Sequence, residues 1–280
     1  MSYKTVTVHL DSSSRCAPRV ELAARIAAAH RGRLVGIAPV GIPDVILSLN
    51  GAVPDTLDLV ALSSAYLRSR AEALARSFDA SAAARASIAC ESRIVDAEPV
   101  DALCGRGRCS DLIVIGQTDR SETVDGVAFD LPQQVLVHAG APVLVVPYAG
   151  TFETVGQHVL VAWKDTREAA RAVRDALPML ARAKQVTLVE YDEGRSADGD
   201  PDAGLEPLQA WLRDHGIDAQ ARREPASDNV GDALLSLATD QCADLVVMGA
   251  YGHSRLREWA LGGMTRHLLE HMTVPVLMSH

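Results

Sequence analysis

Aromatic residues make up only 4% of this 280-residue chain, so its core has to be built from Val, Leu, Ile and Ala. The five cysteines, Cys16, Cys90, Cys104, Cys109 and Cys242, form no CxxC pair and are odd in number. That excludes a complete disulfide framework and suits a reducing compartment. No window reaches the roughly 18 consecutive apolar residues of a membrane span. Met1-Ser2-Tyr3-Lys4-Thr5 runs into an alternating strand pattern with no charged leader and apolar signal core, so a cytoplasmic protein without a membrane partner is expected. An excess of positive charge is missing as well. The formal net charge is -9, with 14 basic against 16 acidic residues up to Gly150 and 13 against 20 beyond it. Such a balance repels phosphate backbones and argues against a nucleic-acid partner. No Walker loop and no G-x-S-x-G occurs, and no nucleophile stands beside a base, so no catalytic residue is assigned.

What is present is a duplication. Asp111-Leu-Ile-Val-Ile-Gly116 returns as Asp244-Leu-Val-Val-Met-Gly249, and Ala141-Pro-Val-Leu-Val145 as Val274-Pro-Val-Leu-Met278, both 133 positions on. Val6-Thr-Val-His-Leu-Asp11 matches Val159-Leu-Val-Ala-Trp-Lys164 at an offset of 153. The first copy therefore carries about 20 extra residues, placed in the irregular stretch from Pro39 to Asp58. The organisation expected is one domain over 1–148, a linker over 149–156 and a second domain over 157–280.

Apolar runs and helical periods alternate within each copy. In the second copy strands are expected near 158–163, 185–191, 217–223, 244–248 and 274–278, with helices near 166–182, 203–215, 228–241 and 263–272. Asp228 is expected as the cap of the third of these helices. Strands in the first copy are expected near 4–10, 33–38, 86–94, 111–115 and 142–146. Runs such as Leu245-Val-Val-Met248 are apolar throughout, as central strands buried on both faces are. The class expected is α/β: two tandem doubly wound domains, each a five-stranded parallel sheet flanked by helices. Ligands of such sheets bind beyond the strand carboxyl ends, where the strand order reverses.

Beyond Met248 the second copy reads Gly249-Ala-Tyr-Gly252-His-Ser-Arg-Leu-Arg-Glu-Trp-Ala-Leu-Gly262-Gly263-Met264-Thr265. Glycines let backbone approach a ligand closely, and the free N–H groups at a helix start attract phosphate. Ser254, Thr265 and Arg255 add donors. The same glycines also serve tight turns, and spacing alone does not separate the two uses.

The spacing G-x2-G-x9-G at Gly249, Gly252 and Gly262 resembles the signature of the universal stress protein family. With the strand into Gly249, the closing Val274-Pro-Val-Leu and the opening Val159-Leu-Val-Ala-Trp, the chain resembles the tandem two-domain type of that family. The resemblance implies an adenine nucleotide alpha-hydrolase-like fold and a regulatory adenine nucleotide, ATP with or without magnesium, in a stress response. Gly249, Gly252, His253, Ser254, Gly262, Gly263, Met264 and Thr265 would lie about the phosphates, and Ala162, Trp163, Lys164, Asp165 and Tyr191, with Glu190, about the base. It also implies pairing of domains through their last strands, within the chain or in a homo-oligomer. The loops of related adenylate-forming folds, Ser-Gly-Gly-x-Asp-Ser and His-x-Gly-His, do not occur.

The departures differ between the copies. Gly263 stands where the family has Ser or Thr, and Lys164 where it has Asp. The first copy keeps Asp11, followed by Ser12-Ser-Ser14, a run expected to cap the next helix. Its loop reads Gly116-Gln-Thr-Asp119, then Phe129-Asp130 and Pro132, which add negative charge and remove a backbone donor, so it should not hold ATP in the family manner. An interaction scaffold without nucleotide and a slow ATPase stay open beside nucleotide binding. His267 and His271 have metal-ligand spacing without an evident third ligand, and a solvated or capping role is expected. Cys104 and Cys109 are expected on the third helix and its exit.

Overall fold

The computed structural model describes residues 2–41, 56–83, 88–119, 121–122, 130–191, 204–225, 227, 229–251 and 263–280. They divide into two compact units, Ser2–Ala141 and Pro142–His280. The division falls ahead of the stretch 149–156 because the strand Val143–Val146 pairs within the second unit.

The first unit runs β1 (Thr5–His9), α1 (Cys16–Ala29), β2 (Arg33–Pro39), α2 (Thr56–Ala83), β3 (Ala89–Val95), α3 (Pro99–Gly107), β4 (Leu112–Gly116) and α4 (Leu131–His138). Its four strands are parallel in the order β3-β2-β1-β4, one fewer than the five expected of it. The stretch read as irregular begins as the end of β2 and finishes inside α2, while 42–55 lie outside the described residues. Cys104 is buried on α3 and Cys109 is exposed just beyond it.

The second unit runs β5 (Val143–Val146), β6 (His158–Ala162), α5 (Arg167–Leu180), β7 (Gln185–Tyr191), α6 (Leu205–Asp214), β8 (Ala219–Glu224), α7 (Val230–Asp240), β9 (Leu245–Gly249), α8 (Gly263–His271) and β10 (Val276–Ser279). Five strands are parallel in the order β10-β9-β6-β7-β8, and β5 joins β10 antiparallel, with Val276 opposite Val145 and Met278 opposite Val143. The last strands of the two repeats thus lie side by side, as the family resemblance implies. Helix α5 buries Ala169, Ala172, Val173, Ala176, Leu177 and Leu180, the spacing of one helical face. Thr166 caps it by accepting from the Ala169 N–H at 3.3 Å. The cap of α7 is Asn229, whose Oδ1 accepts from the Asp232 N–H at 3.2 Å; the expected cap, Asp228, lies outside the described residues.

The aspartate that opens each repeated motif has a mechanical role. Asp111 Oδ2 accepts the N–H groups of Lys4 and Thr5 at 2.7 and 2.8 Å, and Asp244 Oδ1 accepts those of Gln157 and His158 at 2.8 and 2.9 Å. One carboxylate thereby pins the start of the first strand of a repeat to the start of its fourth. Hydrogen bonds to a charged acceptor contribute about 1.5–3 kcal/mol. Asp244→Ala is expected to lose about that much in urea unfolding, whereas Asp244→Asn, which keeps the accepting oxygen, should recover most of it. Equal losses in the two variants would contradict the pin.

Candidate functional site

Both units place a reversal of strand order between the first and fourth strands of the repeat, β1 and β4 in one and β6 and β9 in the other. The crevice beyond those carboxyl ends is where an open parallel sheet takes a ligand.

In the first unit that position is filled from within. Asp11 follows β1, and its Oδ2 lies 2.9 Å from Arg19 Nη2 while its Oδ1 accepts from the Ser13 N–H and hydroxyl at 3.0 and 2.6 Å. Arg19 is 2% exposed and also donates Nε and Nη2 to the His9 carbonyl at 3.1 and 2.9 Å. A side chain at Gly116, the end of β4, would run into Arg19 Nη1, so the guanidinium lies against β4 as well. Burial alone would raise the Asp11 carboxyl, but Arg19, His9 and Ser13 outweigh it and hold the group far below the usual carboxylate range. His9 is 1% exposed, and burial outweighs the pull of Asp11 and lowers its imidazole to about 4.

The serine run does not cap α1. Arg15 holds the cap position, and its side chain makes no capping hydrogen bond to the helix; Ser13 serves Asp11, and Ser14 donates its N–H and hydroxyl to Glu122 at 2.8 and 3.2 Å. Asp119 accepts from the Ser121 N–H and hydroxyl at 2.8 and 2.6 Å. The acidic loop is tied to its own chain.

The second unit differs residue by residue. Ala162 ends β6 opposite Met248, which brings Trp163 beside Gly249 at the end of β9. The Trp163 N–H donates to the Val189 carbonyl at 2.8 Å, while its indole Nε1 is buried without a hydrogen-bond partner among the described residues. Lys164 and Asp165 are exposed in a turn closed by the Thr166 N–H on the Lys164 carbonyl at 2.7 Å. Tyr191 ends β7, and burial, then the charge of Glu224, pushes its phenol up to about 12. Glu190 meets Arg223 at 3.4 Å.

Gly249 packs against the first turn of α5: a Cβ there would lie 2.5 Å from Ala169 N and 2.7 Å from Glu168 C. Gly263 opens α8 with no heavy atom of the described residues within 4 Å of a Cβ, Met264 is half-buried, and Thr265 is buried. Gly252, His253, Ser254 and Gly262 lie outside the described residues. Two residues not anticipated join the site. Tyr251 has a left-handed backbone (φ +59) and a buried hydroxyl without a partner among the described residues, and its ring meets His280 edge-on at 5.9 Å. Its only mark in the sequence is being an aromatic inside a glycine spacing of an aromatic-poor chain.

The two histidines of α8 serve packing. His267 Nε2 lies 2.6 Å from Asp232 Oδ1 on α7, and its ring stacks on His271 at 4.3 Å. Gly231 makes room for that ring, since a Cβ there would lie 2.6 Å from His267 Cδ2. Among the described residues no group of three His, Cys, Asp or Glu side chains is placed to hold a metal ion, and no helix is long and apolar enough to cross a membrane.

Alternating strands and helices, a largely parallel sheet and a reversal of strand order between the first and fourth strands of each repeat define an α/β protein of the doubly wound kind. Residues 156–280 match the model of the universal stress protein family. A universal stress protein from Archaeoglobus fulgidus DSM 4304 has a similar structure: 16% identity, 99% of this chain and 98% of that one covered, TM-score 0.72. So does a protein of unknown function from Pseudomonas aeruginosa PAO1, with 12% identity, 99% and 92% covered and TM-score 0.57. At these identities the likeness is one of fold. No curated protein matches the chain. Residues 156–280 therefore belong to the universal stress protein family, and the fold of that family runs the length of the chain.

Proposed function

We propose that the second domain binds an adenine nucleotide, ATP with or without magnesium, as a regulatory ligand in a cytoplasmic stress response, and that the first is its partner with a crevice closed by Arg19. The observation that carries the reading is Trp163. A buried indole N–H without a partner costs stability, and this one, unpartnered among the described residues, belongs to the residue that follows β6 at the reversal of strand order. An acceptor on a bound base or ribose would satisfy it. Gly263 and Thr265 at the start of α8 supply open backbone and a hydroxyl for phosphate, through the helix N–H groups that have no intrahelical partner. With 13 basic against 20 acidic residues in this half, backbone amides rather than a basic patch would hold the phosphates.

Calorimetric titration with ATP and magnesium tests it. Binding should release or absorb heat and stabilise the protein by about 2.7 kcal/mol at a hundredfold excess of ligand over Kd. Trp163→Phe, which removes the unpaired donor together with part of the ring, should weaken binding about tenfold. Absence of heat and of any thermal shift at millimolar ATP would sink the nucleotide reading and leave an interaction scaffold.

A further inference from the structure

Tyr251 combines three features that packing does not explain together. Its φ of +59 is a conformation that bulky side chains rarely adopt and glycine adopts freely. Its hydroxyl is buried and meets no hydrogen-bonding group among the described residues. Its ring is braced edge-on by His280, which is itself fixed: the His280 Nδ1 lies 3.1 Å from the Ala250 carbonyl, and Arg171 Nη1 donates to the His280 carbonyl at 2.9 Å. Glycine would relieve the backbone, and phenylalanine would keep the ring contact without burying an unpaired hydroxyl. The phenol is the group that needs a use, and strained backbone of this kind collects at ligand clamps.

We propose that Tyr251 is a ligand-contacting residue of the second domain, its phenol donating a hydrogen bond to an anionic oxygen of the phosphate chain, with the ring held in place by His280. The inference rests on the nucleotide reading above. Tyr251 stands between Gly249 and Gly252, within the glycine spacing, two residues past the strand end that lies beside Trp163. That favours the phosphate end of the ligand over the base. Burial pushes the phenol up to about 12, so at neutral pH it remains a donor and adds no negative charge against the anion.

The test titrates the full chain and its Tyr251→Phe variant with ATP, inorganic tripolyphosphate and adenosine, and compares their melting. Removal of one charge-assisted hydrogen bond should weaken ATP and tripolyphosphate about tenfold while adenosine binding and Tm stay as in the wild type. Affinities for ATP and tripolyphosphate within twofold of wild type would overturn the contact and leave the nucleotide reading standing. A parallel loss for all three probes with a lowered Tm would overturn it as well, because it marks the hydroxyl as structural. A wild-type chain that takes up none of the probes would remove both the reading and the contact.

Discussion

Replacing Arg19 with alanine is expected to cost the first unit about 3–5 kcal/mol, read as a lower urea midpoint, because it leaves the Asp11 carboxylate buried without its counter-charge. The guanidinium is 2% exposed, so solvent screening does little to soften the loss, and the same substitution strips two donors from the His9 carbonyl. Removing both charges at once separates the terms. Arg19→Met with Asp11→Leu should be neutral, or more stable by about 1–4 kcal/mol, since a buried pair replaced by well-packed apolar groups recovers its desolvation cost. A loss under about 1 kcal/mol for Arg19→Ala would show that the pair does not hold the crevice. The cluster also sets an acid limit. The His9 imidazole is lowered from 6.5 to about 4, so between those values the unfolded chain takes up a proton that the folded chain refuses. Stability should fall by up to about 1.4 kcal/mol per pH unit as pH drops through that window. Asp11 acts in the same direction at lower pH: its contribution is present above its ordinary 3.8 and is lost as pH falls towards its depressed folded value. In Arg19→Ala the second, more acidic phase should disappear.

Gly249→Ala should destabilise the second unit by about 1–3 kcal/mol or more and weaken any ligand with it. The added methyl group would lie 2.5 Å from Ala169 N, 2.7 Å from Glu168 C and 3.0 Å from Ala169 Cα. Every one of those atoms is main chain, so no side chain can rotate aside and the first turn of α5 has to move. Gly263→Ala is the control. With no heavy atom of the described residues within 4 Å it should leave Tm unchanged or raise it, by about 0.5–1 kcal/mol at most, because alanine loses less chain entropy than glycine in a helix. The signature glycine Gly249 and Gly263, which stands in the signature's hydroxyl position, thus separate by cause, one demanded by packing and one left open beside the proposed phosphates. Equal melting temperatures for the two variants would contradict that division.

The strands were legible where they are apolar on both faces. Leu245-Val-Val-Met248 and Val159-Leu-Val161 are buried runs that water exposure does not interrupt, and their bounds agree to within a residue or two. The expected strand at 217–223 begins later, at Ala219, because the Ile217 N–H returns to the Leu212 carbonyl at 3.0 Å through Gly216 at φ +76 and so closes α6. The expected strand at 274–278 begins at Val276, just past Pro275, which has no N–H to give a ladder. The glycine spacing was legible too, but not that packing demands Gly249, since the close approach of α5 to it is a tertiary event. Arg19 left no trace in a chain of 24 arginines, because what distinguishes it is burial against Asp11 and Gly116. Nor does a serine run reveal that its hydroxyls will go to carboxylates far along the chain, as Ser14 does with Glu122.

The antiparallel pairing of β5 with β10 bears on how the chain is made. Residues Val143–Val146 are buried to the last side chain, yet the strand they pair with ends at Ser279, about 130 residues later in synthesis. At roughly 5–20 residues per second, the edge of β5 that β10 will cover waits on the order of ten seconds on the ribosome. An apolar strand with an open edge is a template for another chain. Slower translation through the second repeat should therefore lower the soluble yield of this protein, through a four-residue strand made before that repeat.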